Sequence, residues 1–334
     1  MTSRLPELNP HQDYLITEFA EDYLESQMSR RDMLRRVLLI TGTIPGTAAL
    51  MFSLGCGTAA DDKSRATQTA TSPSGAAPTT STPARTATGT PAPGATPGVA
   101  ANDASIEGGD VTYPGPASQM KGYLAKPKGA GTWPGVILIH ENRGMIEPIQ
   151  DVARRYAKEG FVALAVDLVS RNGGTGADIP VNTGFLGRAA PDDLVADLNA
   201  TVSYLKGHPA TQGKALGVSG FCFGGGYTFE LASANKDIKA AVPYYGTAQR
   251  VMDNGTLAKT SAAVYAMYGE LDTRLSAQAP SVEAALKQSG RPFKTKIWPG
   301  ANHAFFNNTG ASYNAEAATQ AWNETLAWFR QYLV

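Results

Sequence analysis

Short apolar runs alternate with longer amphipathic stretches along the last two thirds of the chain. Residues 136–140 (VILIH) are one such run, and the Pro-Gly and Arg-Gly pairs around it are typical of a buried strand. By the same criteria we predict strands over 111–113, 121–125, 136–140, 161–166, 215–218, 238–244, 263–268 and 295–298. We predict helices over 147–159, 191–206, 280–288 and 315–332. This alternation predicts an α/β fold whose mostly parallel sheet, opened by an antiparallel pair of strands, carries helices on both faces.

Residues 66–101 differ sharply in composition from this body. All but Gln68, Arg85 and Val99 are Ala, Thr, Ser, Pro or Gly, so the segment offers almost no side chain to bury. Such a segment cannot offset the entropy lost on ordering, and it is typical of a flexible tether. We therefore divide the chain into an N-terminal segment (1–56), a disordered linker (57–105) and one folded domain (106–334).

The N-terminal segment resembles an export signal. Arg30 and Arg31 are similar to a twin-arginine signature, and a weakly apolar run over 37–54 follows them. Gly55 and Cys56 resemble the end of a bacterial lipobox, which predicts lipidation of Cys56. We therefore expect an exported domain, periplasmic or on the outer face of the cytoplasmic membrane, attached by an N-terminal lipid anchor or by the signal alone.

Other interpretations of this segment stay open. The apolar run could be an uncleaved membrane anchor or a buried apolar hairpin, and a cytoplasmic protein is the alternative location. Residues 1–28 have no assigned function. Six of their apolar side chains could line one face of a short amphipathic helix: Tyr14, Leu15, Ile16, Phe19, Tyr23 and Leu24.

Charge and composition exclude several classes of protein. The 29 Lys and Arg residues balance 29 Asp and Glu residues, which argues against a nucleic-acid binder that depends on net charge. The two cysteines cannot form a disulfide framework, and the sequence has neither of the common zinc motifs, C-x-x-C and H-E-x-x-H. We therefore expect no nucleic-acid partner and no metal.

A nucleophile elbow is predicted directly after the strand over 215–218. Residues 220–225 read GFCFGG, which places Cys222 between glycines at the junction of a strand and a helix. The spacing matters because the nucleophile lies on a strained turn where larger flanking side chains would clash. The N-terminus of the following helix would then stabilise a thiolate and a developing oxyanion. The alternative is that Cys222 is a small buried residue in an ordinary tight turn.

A carboxylate and a histidine follow the nucleophile in the order expected of this arrangement. Asp272 and His303 each come shortly after a predicted strand. Asp272 lies deeper in its loop than Glu270, so we predict that Asp272 orients the imidazole, with Glu270 as the alternative. Of the four histidines, His303 occupies the loop position that a general base requires. His140 ends a strand and is either a satisfied core histidine or a support for the site.

With these residues the chain resembles the dienelactone hydrolase family, which has the α/β-hydrolase fold. The resemblance covers 106–334, and three stretches carry it: HENRG at 140–144, GFCFGG at 220–225 and HAFFN at 303–307. It implies a catalytic triad of Cys222, Asp272 and His303. It also implies that Glu141 holds the resting thiol and swings away when substrate arrives.

The resemblance further implies how a substrate is bound. The backbone N–H groups of Asn142 and Phe223 would form the oxyanion hole. The well-known member of the family binds a substrate carboxylate through two arginines; Arg171 matches the first, whereas Asn307 stands at the position of the second. We therefore expect weaker binding of anionic substrates than an arginine pair would give.

The activity implied by the resemblance is hydrolysis of a small-molecule ester or lactone through an acyl-enzyme on cysteine, with no cofactor and no metal. A broad carboxylesterase acting on small acyl esters is the alternative enzyme. A non-catalytic, membrane-tethered binding module is the alternative of another class. Turnover of a chromogenic ester by the chain with and without Cys222 distinguishes the binding module from the two enzymes.

Overall fold

The computed structural model describes residues 8, 10–24, 29–42, 47 and 98–334, and one eight-stranded sheet forms its centre. The strands are β1 (Ile106–Pro114), β2 (Gln119–Pro127), β3 (Gly135–Ile139), β4 (Val162–Asp167), β5 (Leu216–Phe221), β6 (Ile238–Tyr244), β7 (Ala263–Gly269) and β8 (Phe293–Trp298). They lie in the order β1-β2-β4-β3-β5-β6-β7-β8. β2 is antiparallel to both β1 and β4, and the other neighbours are parallel. The predicted α/β-hydrolase sheet is confirmed.

Helices cover this sheet. Those in the described residues are α1 (Pro10–Leu24), α2 (Arg30–Thr41), α3 (Glu147–Lys158), α4 (Ile179–Arg188), α5 (Pro191–Gly207), α6 (Phe223–Ala234), α7 (Gln249–Asp253), α8 (Thr273–Ser276), α9 (Ala279–Ser289) and α10 (Ala315–Leu333). Every residue of β3, β4 and β5 is buried, as their continuous apolar sequences predict. The parallel strands end at one edge of the sheet, and the candidate residues follow β3, β5, β7 and β8 there.

Helix α4 was missed by the pattern analysis. Two glycines and three β-branched residues lower the intrinsic helix propensity of its sequence, IPVNTGFLGR. The side chain of Asp178 caps the helix by accepting the N–H of Val181, and Pro180 lies in the first turn. Its buried face, which includes Gly184, packs against α2. Tertiary packing therefore outweighs local propensity here.

Helices α1 and α2, which we call the N-terminal helix pair, pack against each other and against α4. Their buried apolar side chains are Leu15, Ile16, Phe19, Ala20, Met33, Val37 and Ile40. The amphipathic helix predicted near the N-terminus is therefore present as α1. Of the described helices, none combines the length and apolarity that crossing a membrane requires. The predicted lipidation site Cys56 lies outside the described residues.

The predicted disordered linker is too long at its C-terminal end. The backbone N–H of Val99 donates to Asp151 of α3, and its carbonyl accepts from the Nε of Arg154. These contacts attach residues 98–105 to the domain, because two charged side chains of α3 replace water at the backbone of Val99. The folded domain therefore begins near residue 98 rather than at 106, and the linker up to residue 97 lies outside the described residues.

Candidate active site

Cys222 lies on a strained turn between β5 and α6. Its φ of 55° falls in the left-handed region that residues other than glycine rarely adopt. The chain can make this turn because the residues two positions away on either side are glycines: a Cβ on Gly220 would lie 2.2 Å from the carbonyl oxygen of Gly224. A Cβ on Gly224 would lie 2.2 Å from the carbonyl oxygen of Ile139, at the end of β3. Both glycines are therefore required by backbone contacts.

His303 lies between Cys222 and a carboxylate. Its Nδ1 is 2.7 Å from Oδ2 of Asp272, and a ring nitrogen lies within 4.8 Å of the Cys222 sulfur. The other oxygen of Asp272 accepts the backbone N–H of Leu275 at the start of α8, which fixes the carboxylate. Glu270 is exposed, and it accepts the backbone N–H of Gly300 instead. Of the two candidate acids, Asp272 is the one in contact with the imidazole.

A second carboxylate, Glu18 of α1, enters the same site. One of its oxygens is 3.0 Å from Nε2 of His303 and accepts from the Cys222 thiol at 3.8 Å. Its other oxygen forms an ion pair with Arg274 of α8. Glu18 is only 5% exposed. The N-terminal helix pair therefore contributes a buried charged group that contacts both reactive side chains.

The surrounding charges set the protonation of these side chains. Burial opposes a charged imidazole, but the carboxylate of Glu18, the Cys222 sulfur and the hydrogen bond to Asp272 together raise the pKa of His303 well above its ordinary value. Burial raises the pKa of the Cys222 thiol; His303 lowers it, and Glu18 raises it further. At neutral pH the arrangement therefore favours a protonated imidazole beside a neutral thiol.

Glu141 follows β3 and lies beside the same thiol. Its charge contributes to the raised pKa of Cys222, and its Oε2 accepts a hydrogen bond of 3.0 Å from the side-chain amide of Asn307. A cavity of about 20 Å³ lies between Glu141, Asn307, Tyr245 and Phe306. That volume holds about one water molecule beside Glu141.

The two predicted oxyanion donors lie on adjoining elements. Phe223 is the first residue of α6, at the helix terminus where backbone N–H groups point out of the helix. Asn142 follows β3, and its carbonyl accepts from the hydroxyl of Thr183, which holds this peptide in place. The close approach of Gly224 to the end of β3 brings the two segments together.

His140 supports this arrangement without reaching the thiol. Its Nδ1 bonds to the carbonyl of Glu141 at 2.6 Å, and its Nε2 accepts the N–H of Leu168 at 3.1 Å. Burial lowers the pKa of His140, which fits the neutral imidazole that these two bonds require. Its ring also stacks on Phe223. His140 therefore fixes the segment that carries Glu141.

Arg171 has partners elsewhere. Its guanidinium binds both oxygens of the buried Asp197 on α5, at 2.8 and 3.1 Å, and pairs with Asp193 at 3.1 Å. These contacts give Arg171 a structural role as the counter-ion of a buried carboxylate. Its predicted contact with substrate stays a prediction.

The described residues also contain one group that could hold a metal ion. Glu18, Cys222 and His303 offer three donor atoms within 4.8 Å of one another, and carboxylate, thiolate and imidazole are all zinc ligands. The guanidinium of Arg274 already neutralises Glu18, however, and it opposes a second cation there. The donor set is therefore better described as an ion-paired cluster.

Three residues of the site were missed in the sequence. Arg274 lies two positions after Asp272, a spacing that could have drawn attention to it. Tyr245 directly follows β6 at a φ of 37°, and its ring centroid lies 5.0 Å from that of His303. Glu18 carries no local signal, because it is 204 residues from Cys222 in the chain.

Comparison with known proteins identifies the family. The model of the dienelactone hydrolase family matches residues 120–333. Relatives assigned by name as carboxymethylenebutenolidases occur in Synechocystis sp. (34% identity; 67% of this chain, 96% of the relative) and Methylorubrum extorquens (33%; 67% and 81%). The crystal structure of a Klebsiella pneumoniae protein named as a dienelactone hydrolase aligns with a TM-score of 0.61 at 32% identity, over 68% of this chain and 99% of that one. The chain is a member of the dienelactone hydrolase family, and it is a hydrolase of ester or lactone bonds.

Proposed function

We propose that this hydrolase cleaves its small-molecule ester or lactone by nucleophilic catalysis at Cys222, with His303 as the proton carrier and Asp272 as the group that orients it. The observation that supports this most directly is the position of the imidazole. One nitrogen is 2.7 Å from Asp272, and the ring lies beside the sulfur of the elbow cysteine. A nucleophile, a base and an orienting acid in this sequence are the parts that acyl transfer requires.

The reaction proceeds in two halves. His303 takes the thiol proton, the sulfur attacks the carbonyl carbon, and the C–O bond breaks as His303 returns the proton to the leaving oxygen. Water then gives a proton to His303 and attacks the thioester, which releases the acid and restores the thiol. The N–H groups of Asn142 and Phe223 stabilise the negative oxygen of both tetrahedral intermediates.

Glu141 acts as the resting partner of the thiol in this scheme. Its charge disfavours a free thiolate, and the amide of Asn307 holds it at the edge of the site. Movement of Glu141 away from the sulfur as substrate enters would lower the pKa of Cys222 at the moment when the nucleophile is needed. This role is expected to change thiol reactivity more than substrate affinity.

Hydrolysis of 4-nitrophenyl acetate and of a simple lactone tests the proposal. Cys222→Ala should reduce turnover to background while circular dichroism shows an unchanged fold, since alanine fits the elbow. Rapid mixing of the active enzyme with ester should leave an acyl adduct on the peptide that contains Cys222, detected by mass spectrometry. Full activity in purified Cys222→Ala would show that another residue is the nucleophile and that the proposal is wrong.

We also propose that the enzyme is exported and anchored through Cys56. The support lies in the sequence: Arg30 and Arg31 precede an apolar run, and Gly55-Cys56 ends it. Fractionation of cells that express the full chain tests this, with Arg30→Lys/Arg31→Lys as the variant and Cys56→Ser as its companion. Export is contradicted if the wild-type chain and both variants are recovered as soluble cytoplasmic protein with an intact N-terminus.

A further inference from the structure

Tyr245 lies in the site, but the proposed reaction does not use it. Its side chain is fully buried, and its ring centroid lies 5.0 Å from that of His303. Its φ of 37° is a strained conformation for a residue other than glycine. The turn is held tightly against α6, because a Cβ on Gly225 would lie 2.3 Å from the carbonyl oxygen of Tyr244 and 2.9 Å from the Cα of Gly246. The fold therefore keeps a strained tyrosine beside the elbow.

Two buried donors of the site have no hydrogen-bond partner among the described residues. They are the hydroxyl of Tyr245 and the Nε–H of Arg155 on α3. Arg155 is only 7% exposed, and a terminal nitrogen of its guanidinium pairs with Asp151, which leaves the Nε–H unused. A buried donor without an acceptor is costly and rare in folded proteins. Two such donors around one cavity therefore point to an acceptor that arrives in another state of the site.

Both residues line the cavity of about 20 Å³ that reaches Glu141. This space has room for about one water molecule, or for one carboxylate oxygen in its place. Oε2 of Glu141 already accepts at 3.0 Å from Asn307, another residue of the cavity wall. Burial raises the pKa of Tyr245, and the charges of Glu141 and Cys222 raise it further, so its hydroxyl stays a donor. A carboxylate and two residues with unused donors therefore share one small cavity.

We propose that Tyr245 and Arg155 are positioning residues that receive the carboxylate of Glu141 when it leaves the thiol. In this state the carboxylate accepts from the hydroxyl of Tyr245 and from the Nε–H of Arg155, so both donors gain the acceptor that they lack at rest. The two hydrogen bonds hold the negative charge away from the sulfur, and the thiolate of Cys222 forms more easily. Both residues act through Glu141 rather than on the substrate.

This inference rests on the proposed function, because it uses the movement of Glu141 away from the sulfur. It deepens that proposal by naming where the carboxylate goes and which donors stabilise it there. A hydrogen bond to a charged group is stronger than one between neutral groups, so each donor favours the displaced position. Loss of one donor should therefore slow the attack by the thiol and leave the affinity for ester nearly unchanged.

Tyr245→Phe removes the hydroxyl and keeps the ring beside His303. In full-length chain with Cys56→Ser, rapid mixing with 4-nitrophenyl acetate measures acylation as the single-turnover release of 4-nitrophenol. The saturating rate should fall about tenfold or more, because a hydrogen bond to a charged group typically changes an equilibrium by that factor. The ester concentration that gives half this rate should stay within about twofold.

Thermal unfolding of the same variant separates positioning from support of the fold. Tyr245→Phe should unfold at the same temperature as the starting chain or at a higher one, because it removes a buried hydroxyl that has no partner. A merely structural role would lower this temperature. Tyr156→Phe is the matched control, since Tyr156 is a fully buried tyrosine packed among aromatic rings of the core. It should keep the starting rate of acylation.

A double-mutant cycle with Glu141 tests the receiving role directly. Glu141→Ala has no carboxylate to receive, so adding Tyr245→Phe to it should change the rate of acylation by less than about twofold. Arg155→Lys keeps the charge that pairs with Asp151 but has no Nε–H. It should slow acylation when Glu141 is present and have no effect in Glu141→Ala.

The inference is overturned if Tyr245→Phe slows acylation equally with and without Glu141, or if it leaves the rate unchanged in the starting chain. If Arg155→Lys alone fails these expectations, the assignment of Arg155 is wrong and that of Tyr245 stands. These outcomes are distinct from failure of the proposed function, which is read from ester turnover in Cys222→Ala, because every variant of the cycle keeps Cys222.

Discussion

Cys222 adopts a φ of 55° in a turn where Gly220 and Gly224, two positions away on either side, have no room for a side chain. A conformation of this kind costs on the order of 1–3 kcal/mol and persists only where the surrounding structure enforces it. Here the backbone of Cys222 is held between the end of β3 and the start of α6. These two segments also carry the proposed oxyanion donors. The strain at the cysteine and the position of the N–H groups therefore have the same cause.

Replacing the acid beside His303 should separate Asp272 from its neighbour in the same loop. Asp272→Asn keeps the shape but cannot stabilise the imidazolium, so kcat should fall by about 10²–10⁴-fold. Glu270→Gln still offers an amide oxygen to Gly300, so its kcat should stay within about twofold. Steady-state ester hydrolysis by both purified variants measures this, and equal losses in the two would contradict the assignment.

The protonation of His303 should appear in the pH dependence of stability. Glu18, Asp272 and Cys222 face this imidazole, and its pKa is raised above the ordinary 6.5. The stabilisation is therefore fully present below pH 6.5 and is lost as the pH rises through the raised value, by about 1.4 kcal/mol for each tenfold change in proton affinity. Urea unfolding between pH 6 and 10 should show this loss in the wild-type chain, and Glu18→Ala should reduce it. Parallel curves for the two chains would show that Glu18 does not hold the proton.

At the scale of the elements, the sequence predicts those features that a few neighbouring residues determine. The buried strands and the elbow were found from apolar runs and from the two glycines around Cys222, because strand burial and a tight turn leave their mark within a few residues. Helix α4 was not found, because its glycines are there to admit α2 and not to favour a helix. The sequence favoured Asp272 over Glu270 by its depth in the loop, but the contact with His303 that distinguishes the two acids is visible only in the structure.

The junction between β3 and α6 should be intolerant of a single methyl group. Gly224→Ala places a Cβ against backbone oxygen, which cannot move aside as a side chain can. We expect a loss of about 1–3 kcal/mol in the free energy of unfolding, together with loss of esterase activity. Gly109→Ala is the matched control on β1, where an added Cβ meets nothing within 4 Å. Denaturant unfolding of both variants measures the difference, and equal stabilities would show that the elbow can relax.

At the scale of the whole molecule, the site is assembled from both ends of the chain. Glu18 and Cys222 are 204 residues apart, and no periodicity or spacing links them. The sequence pattern predicts an export signal preceded by a leader without assigned function, whereas α1 and α2 pack on α4 of the hydrolase domain. The two descriptions are compatible if the leader acts on the domain before it is removed.

Processing of the leader should therefore activate the enzyme. The whole N-terminal helix pair precedes Cys56, so cleavage before this cysteine would remove the Glu18 carboxylate that contacts His303 and Cys222. We expect the precursor to react slowly with iodoacetamide at Cys222 and the processed chain to react about tenfold faster or more, with a parallel rise in kcat/KM for a neutral ester. The processed chain is purified from cells that express the wild-type sequence, and the precursor from cells that express the Arg30→Lys/Arg31→Lys variant. The Glu18→Ala precursor is the control, and it should match the processed chain without being cleaved. Equal reactivity of wild-type precursor and processed chain would show that the helix pair does not restrain the site. If the proposed export and the proposed cysteine nucleophile both hold, such a precursor would stay inactive until its N-terminal helix pair is removed, because Glu18 of α1 contacts Cys222 and His303.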